Sequence, residues 1–174
     1  MKNLYVIRYL LLAFLWFFSA KYILSQKKVN IIAGIGLPEL IHAGVRYQMG
    51  QTQLGGSFGY GGDSTYSING DFLYHFGKVS DLSKRKRWYG KLGVGYNRSK
   101  SAYDIFKSLV LTTRIGKEYN ISHVLGIGVD AGLTFLVYEE NTEIKPKPGW
   151  NINFDFGILE YVLPTAAVHL FYKL

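Results

Sequence analysis

Four histidines, His42, His75, His123 and His169, are the side chains best placed by type to move protons, because imidazole titrates near neutral pH without help. A Ser–His–carboxylate set would make them hydrolytic, and that chemistry needs nucleophile and base within hydrogen-bond reach. No serine lies two residues from any of these histidines, and same-face neighbours on one strand already stand about 6.7 Å apart. The remaining route is a cross-strand pair, Ser57 with His75 or Asp71. Histidines hydrogen-bonded to ordinary neighbours are the simpler account, and the chain is expected to carry no catalytic residues. No metal-ligand spacing stands out and Cys is absent, so neither a thiolate site nor a disulfide framework exists. No metal and no cofactor is expected.

Two other patterns invite chemistry. "GVGYNRSK" and "GIGVDAG" look like phosphate loops, but such a loop must open a helix whose N-terminus receives the anion. The flanking residues have strand character instead. The run Lys84-Arg85-Lys86-Arg87, with a formal charge of +8 on the chain, suggests nucleic acid. A basic fold with stacking aromatics should accompany such a run. A solvated loop near lipid phosphates fits better, and no nucleic-acid partner is expected.

The elements that would position these residues are strands. Segments 29–36, 40–49, 52–60, 65–76, 88–98, 107–118, 123–138, 150–159 and 165–174 read as strand, with turn signals between them. "KVSDLSKRKR" and "EENTEIKPKPG" read as longer loops. Period-two alternation is strong. Ile41, Ala43, Val45 and Tyr47 oppose His42, Gly44, Arg46 and Gln48; Trp150, Ile152, Phe154 and Phe156 oppose Asn151, Asn153 and Asp155. Nine segments conflict with the even strand number of bacterial membrane barrels. Either the first two form one bent strand or a C-terminal segment stays in a loop. Eight strands is the expected number, with ten the alternative.

A soluble sandwich would turn the apolar face inward. The polar face here is rich in glycine, including Gly34, Gly44, Gly55, Gly93, Gly126 and Gly128. A narrow barrel interior needs small residues beside long charged ones. The charges on that face also balance: Arg46, Lys91, Arg114 and Lys173 against Asp71, Glu118, Asp130 and Asp155. Buried charges must be paired, and Arg114 with Asp130 is the pair expected first. The apolar face carries aromatics near segment ends, Tyr47, Tyr66, Trp88, Tyr96, Trp150 and Tyr172, the distribution of membrane girdles. The fold class expected is therefore all-β, a single antiparallel transmembrane β-barrel.

The N-terminal stretch has Lys2 and Arg8 ahead of a short apolar run, residues 9–18. That is too short for a spanning helix and has the layout of a secretory signal. Residues 1–25 are expected to be a signal peptide and 26–174 the barrel. Removing residues 1–25 takes away Lys2, Arg8 and Lys21 and no acid, so the formal charge falls from +8 to +5.

With this signal segment, "GIGLPELIHAGVRYQ" opening the barrel and the last strand "AAVHLFYKL", the chain resembles the small outer-membrane β-barrel proteins of Gram-negative bacteria, most closely the uncharacterised Bacteroidetes-type ones. In that family the final strand alternates, as Val168, Leu170, Tyr172 and Leu174 do here, although it more often ends in Phe. The resemblance implies an outer-membrane location, with membrane lipid and the outer-membrane assembly machinery as partners. It implies no activity. The leading expectation is a barrel with a plugged polar lumen, structural or interacting at the cell envelope. The alternatives are a barrel-fold lipid hydrolase and a soluble periplasmic lipocalin-like binder.

Overall fold

The computed structural model describes residues 28–62, 64–145 and 161–174. The expected signal segment 1–25, segment 150–159, Trp150 and Asp155 lie outside the described residues.

Period-two sequences give eight antiparallel strands: β1 Val29–Gly36, β2 Leu40–Met49, β3 Thr52–Tyr60, β4 Tyr66–Ser80, β5 Ser83–Lys100, β6 Asp104–Asn120, β7 Leu125–Glu143 and β8 Val162–Lys173. Each pairs with its neighbours in sequence, and β8 returns to β1, with Asn30 opposite Lys173 and Gly36 opposite Ala167. The sheet is a closed barrel. Closure removes both free edges, where unpaired N–H and C=O groups would otherwise lie.

The nine-segment count resolves in two places. β1 and β2 are separate, fully paired strands and not one bent strand. β7 bonds directly to β8, from Leu125–Tyr172 to Phe135–Val162, so the eight described strands close the wall among themselves.

"KVSDLSKRKR" is not a loop. It continues β4 and β5 into one hairpin that turns at residues 81–82. The ladder slips between Phe76 and Val79, and Gly77 sits there at φ 82°. Only glycine reaches that left-handed region without steric cost. Dense charge and this slip hid the strand continuation.

The turns at residues 50–51, 81–82 and 121–124 share a rim with Val29 and Lys173. Those at 37–39, 61–65 and 101–103 lie at the opposite rim.

Alternation puts the apolar set outside. Ile41 is 68% exposed, Leu92 60% and Ile115 56%. Arg46, Asp71, Lys91, Arg114, Glu118 and Asp130 are buried inside. Interior glycines face the largest interior side chains. A Cβ on Gly116, Gly126 or Gly128 would strike Tyr89, Phe171 or His169 respectively. Small residues on one wall thus make room for rings from another, which is how a narrow barrel reaches native packing density.

Candidate functional site

Most of the interior charges form one ionic network at mid-barrel. Glu39 stands in the turn between β1 and β2, after the cis Leu37–Pro38 bond, and Leu40 follows at φ 63°. That backbone is rare for a residue with a side chain, and here it accompanies a turn that folds into the barrel. The Glu39 carboxylate accepts from Lys91 of β5 at 2.9 Å and Arg114 of β6 at 2.7 Å. Arg114 also donates to the Leu37 carbonyl, and the Ser67 hydroxyl donates to the Glu39 carbonyl at 3.2 Å. The turn is therefore fastened by both its main chain and its side chain.

From Lys91 the network passes to Asp71 of β4 at 3.3 Å and on to Arg46 of β2 at 3.6 Å. From Arg114 it passes to Asp130 of β7 at 3.0 Å, which also accepts from the Tyr89 hydroxyl at 2.8 Å. His169 of β8 closes the circuit, with Nε2 3.1 Å from Arg46 Nη1. Six of the eight strands supply members. In a low dielectric each charge is tolerated only because its partner is within a few ångströms.

A second group lies toward the rim with the chain ends. Arg85, from the tip of the β4–β5 hairpin, grips Glu118 of β6 with Nη2 at 2.6 Å and Nε at 2.8 Å. Its Nη1 reaches Gln48 of β2 at 2.6 Å and Asn30 of β1 at 3.4 Å. A β5 side chain that touches β1, β2 and β6 must cross the mouth of the barrel. Lys173 donates to Asn120 at 2.7 Å and to Ser83 at 3.1 Å, tying the hairpin tip to β8 from the other side. The guanidinium of Arg85 lies 5.1 Å from the Phe171 ring centroid, a cation–π distance.

The candidate residues thus divide. Arg46, Asp71, Lys91, Arg114 and Asp130 share the mid-barrel network. Glu118 and Lys173 belong to the rim group, and Asp155 is outside the described residues. Sequence reasoning missed Glu39 and Arg85. Glu39 sits in a turn, where no periodicity marks an inward side chain. Arg85 had only a broken signal: counting back by two from Lys91 passes Tyr89 and then the exposed Arg87 before it reaches the buried Arg85.

Among the described residues, no hydrogen bond joins Ser57 to His75 or Asp71. Ser57 lies opposite Asn69 on β4, whereas His75 lies opposite Tyr89 on β5. Nδ1 of His42 is 3.2 Å from the Leu40 carbonyl, and Nδ1 of His75 is 3.1 Å from the Lys86 carbonyl; each nitrogen donates to that oxygen. Among the described residues, no serine hydroxyl hydrogen-bonds a histidine ring. Nor does any group of three His, Asp or Glu side chains there stand ready to hold a metal ion.

On the outer surface, Tyr47, Trp88 and Tyr172 lie toward the rim with the chain ends, 38%, 42% and 46% exposed. Toward the other rim Tyr66 stacks on Phe58 with centroids 6.1 Å apart and meets Tyr96 at 6.4 Å. Trp150 is outside the described residues. No protein-family model matches the chain, and neither does any curated protein or solved structure.

Proposed function

We propose that this chain is an outer-membrane β-barrel whose polar interior is closed by its own ion pairs, and that its role at the cell envelope is structural or interactive. One observation carries the reading: a broad apolar outer face around a charged interior. A soluble monomer rarely exposes more than a few hundred Å² of contiguous apolar surface. Here the outward residues in the middle of all eight strands are apolar apart from Thr113 of β6, and aromatics stand toward both rims. On β5 the bounding residues are Trp88 and Tyr96, eight positions apart. That is roughly 26 Å of strand at the usual rise, or about 20 Å along the axis at a typical membrane-barrel tilt. The value is close to the apolar band of such barrels, roughly 25 Å tall.

The lipocalin-like alternative needs an apolar interior to hold an apolar ligand, and this interior is ionic. The hydrolase alternative needs a nucleophile and base in contact, whereas His42 and His75 bond to backbone carbonyls and His169 to Arg46. An eight-stranded barrel leaves no wide channel, so bulk conduction is not part of the proposal. On this reading, the short turns at residues 50–51, 81–82 and 121–124 support a periplasmic side for their rim, since periplasmic turns are the short ones.

The test is cell fractionation with a carbonate wash, together with the heat-shift of the folded band. Folded protein is expected in the washed membrane pellet. Recovery of folded chain in the soluble fraction would overturn the reading.

A further inference from the structure

The two rims differ in charge. At the rim with the chain ends, Lys28, Lys78, Lys84, Lys86, Arg87 and Lys117 lie outside the interior network, and among the described residues there Asp81 is the one acidic side chain outside it. At the opposite rim the charges of the described residues cancel. Lys107 pairs with Glu140 at 2.9 Å, and Asp104, Glu139 and Glu143 accompany Arg98, Lys100 and Lys145.

One of the six cations is seated among rings. Lys117 is an outward residue of β6, and its Nζ lies 5.2 Å from the Trp88 ring centroid and 5.1 Å from that of Tyr119. Both rings are outward, 42% and 53% exposed. The rings cradle the ammonium through their π faces. A lysine stem lying along apolar surface with its head toward the polar boundary is the posture of an interfacial anchor. The seat puts a fixed positive charge at the edge of the apolar band, in line with the unbalanced cations of the hairpin tip.

We propose that this rim binds the phosphate headgroups of anionic glycerophospholipids, with Lys117 between Trp88 and Tyr119 as the principal seat and Lys84 and Arg87 as auxiliary contacts. The inference rests on the membrane reading above. The occupant is set by charge complementarity: a surplus of cations at the edge of an apolar band meets lipid phosphates first. Each cation beside an anionic lipid surface strengthens attachment about fivefold, and added salt weakens that attachment.

The experiment has two stages. First, the chain is folded into phosphatidylcholine vesicles, and insertion is read by heat-shift. Second, the folded barrel in neutral detergent is offered phosphatidylglycerol or phosphatidylcholine, and retained lipid is measured by native mass spectrometry at low and high salt. Preferential retention of phosphatidylglycerol, lost at high salt, is expected. Lys117→Gln should weaken retention about fivefold, Lys117→Arg should restore most of it, and Lys84→Gln with Arg87→Gln should weaken it further. Lys100→Gln with Lys145→Gln, at the balanced rim, should leave it unchanged. Equal retention of the two lipids, or equal losses from changes at either rim, would overturn the rim proposal while leaving the membrane reading in place. Failure to insert into phosphatidylcholine at all would overturn the membrane reading and this inference with it.

Discussion

Arg114 is the most heavily committed side chain in the interior, shared between Glu39 at 2.7 Å and Asp130 at 3.0 Å. Removing one member of a dry pair leaves its partner charged and unsatisfied, a loss of about 3–5 kcal/mol. Arg114→Met and Asp130→Leu are each expected to cost about that much in urea unfolding from lipid vesicles. Made together they should cost less than the sum by roughly 0.5–3 kcal/mol, the range for residues in contact. Strict additivity would mean that the 3.0 Å contact carries no energy. Glycine supplies the opposite kind of constraint. A Cβ on Gly132 would lie 2.7 Å from the Arg114 Cα and 3.0 Å from the Thr113 carbonyl carbon. Backbone cannot swing aside as a side-chain end can, so Gly132→Ala should force β6 and β7 apart at a cost of about 1–3 kcal/mol, measured as a lower unfolding midpoint. No change in midpoint would show that the wall relaxes more easily than its ladder suggests.

At the scale of elements, the β4–β5 hairpin has the most specific device. Its tip leaves the regular ladder at Gly77, φ 82°, and returns Arg85 to the interior. An alanine forced into a left-handed conformation costs about 1–2 kcal/mol. Gly77→Ala should therefore unseat the tip without opening the wall. The expected readout is faster tryptic cleavage after Lys84 or Lys86 with the heat-shifted band intact; an unchanged cleavage rate would remove the hairpin's claim to be a bent, docked tip. Arg85→Ala should speed the same cleavage, because it releases Glu118, Gln48 and Asn30 together.

This element also shows what the sequence could and could not disclose. Strict alternation, as in Leu92, Val94 and Tyr96 against Lys91, Gly93 and Gly95, made most strands and both of their faces legible. The alternation failed across Phe76–Val79, where the ladder slips, and a lysine-rich run then resembled a solvated loop. Glu39 was illegible for a different reason. Its inward direction is set by the contacts of a folded turn with β4, β5 and β6, and none of that is written in the residues beside it.

At the scale of the whole molecule, the proposed lipid surroundings make a distinct energetic demand on the apolar outer face. Leu92 lies midway between Trp88 and Tyr96 and is 60% exposed. An arginine there would sit near the middle of the apolar band, and Leu92→Arg should lose roughly 2–4 kcal/mol in lipid. The same change would be nearly silent in a water-soluble barrel, where exposed substitutions usually stay within about 0.5 kcal/mol. Unfolding titrations of this variant in vesicles thus separate the two surroundings by magnitude alone.

The closed topology also has a consequence in time. Every neighbouring pair in the wall joins consecutive strands, except one. The seam of β1 with β8 brings Asn30 to Lys173 and Gly36 to Ala167, residues from opposite ends of the chain. On a chain emerging from its N-terminus, seven strands can meet their successors early, but β1 must wait with an unpaired edge until β8 arrives. The bonds from Glu39 to Lys91 and Arg114, and from Arg85 to Asn30, span the curled sheet and so wait as well. Loop closure must be met before such distant contacts reward it. β8 is therefore the strand that turns a row of hairpins into a sealed cylinder, and until it pairs, β1 keeps an open edge.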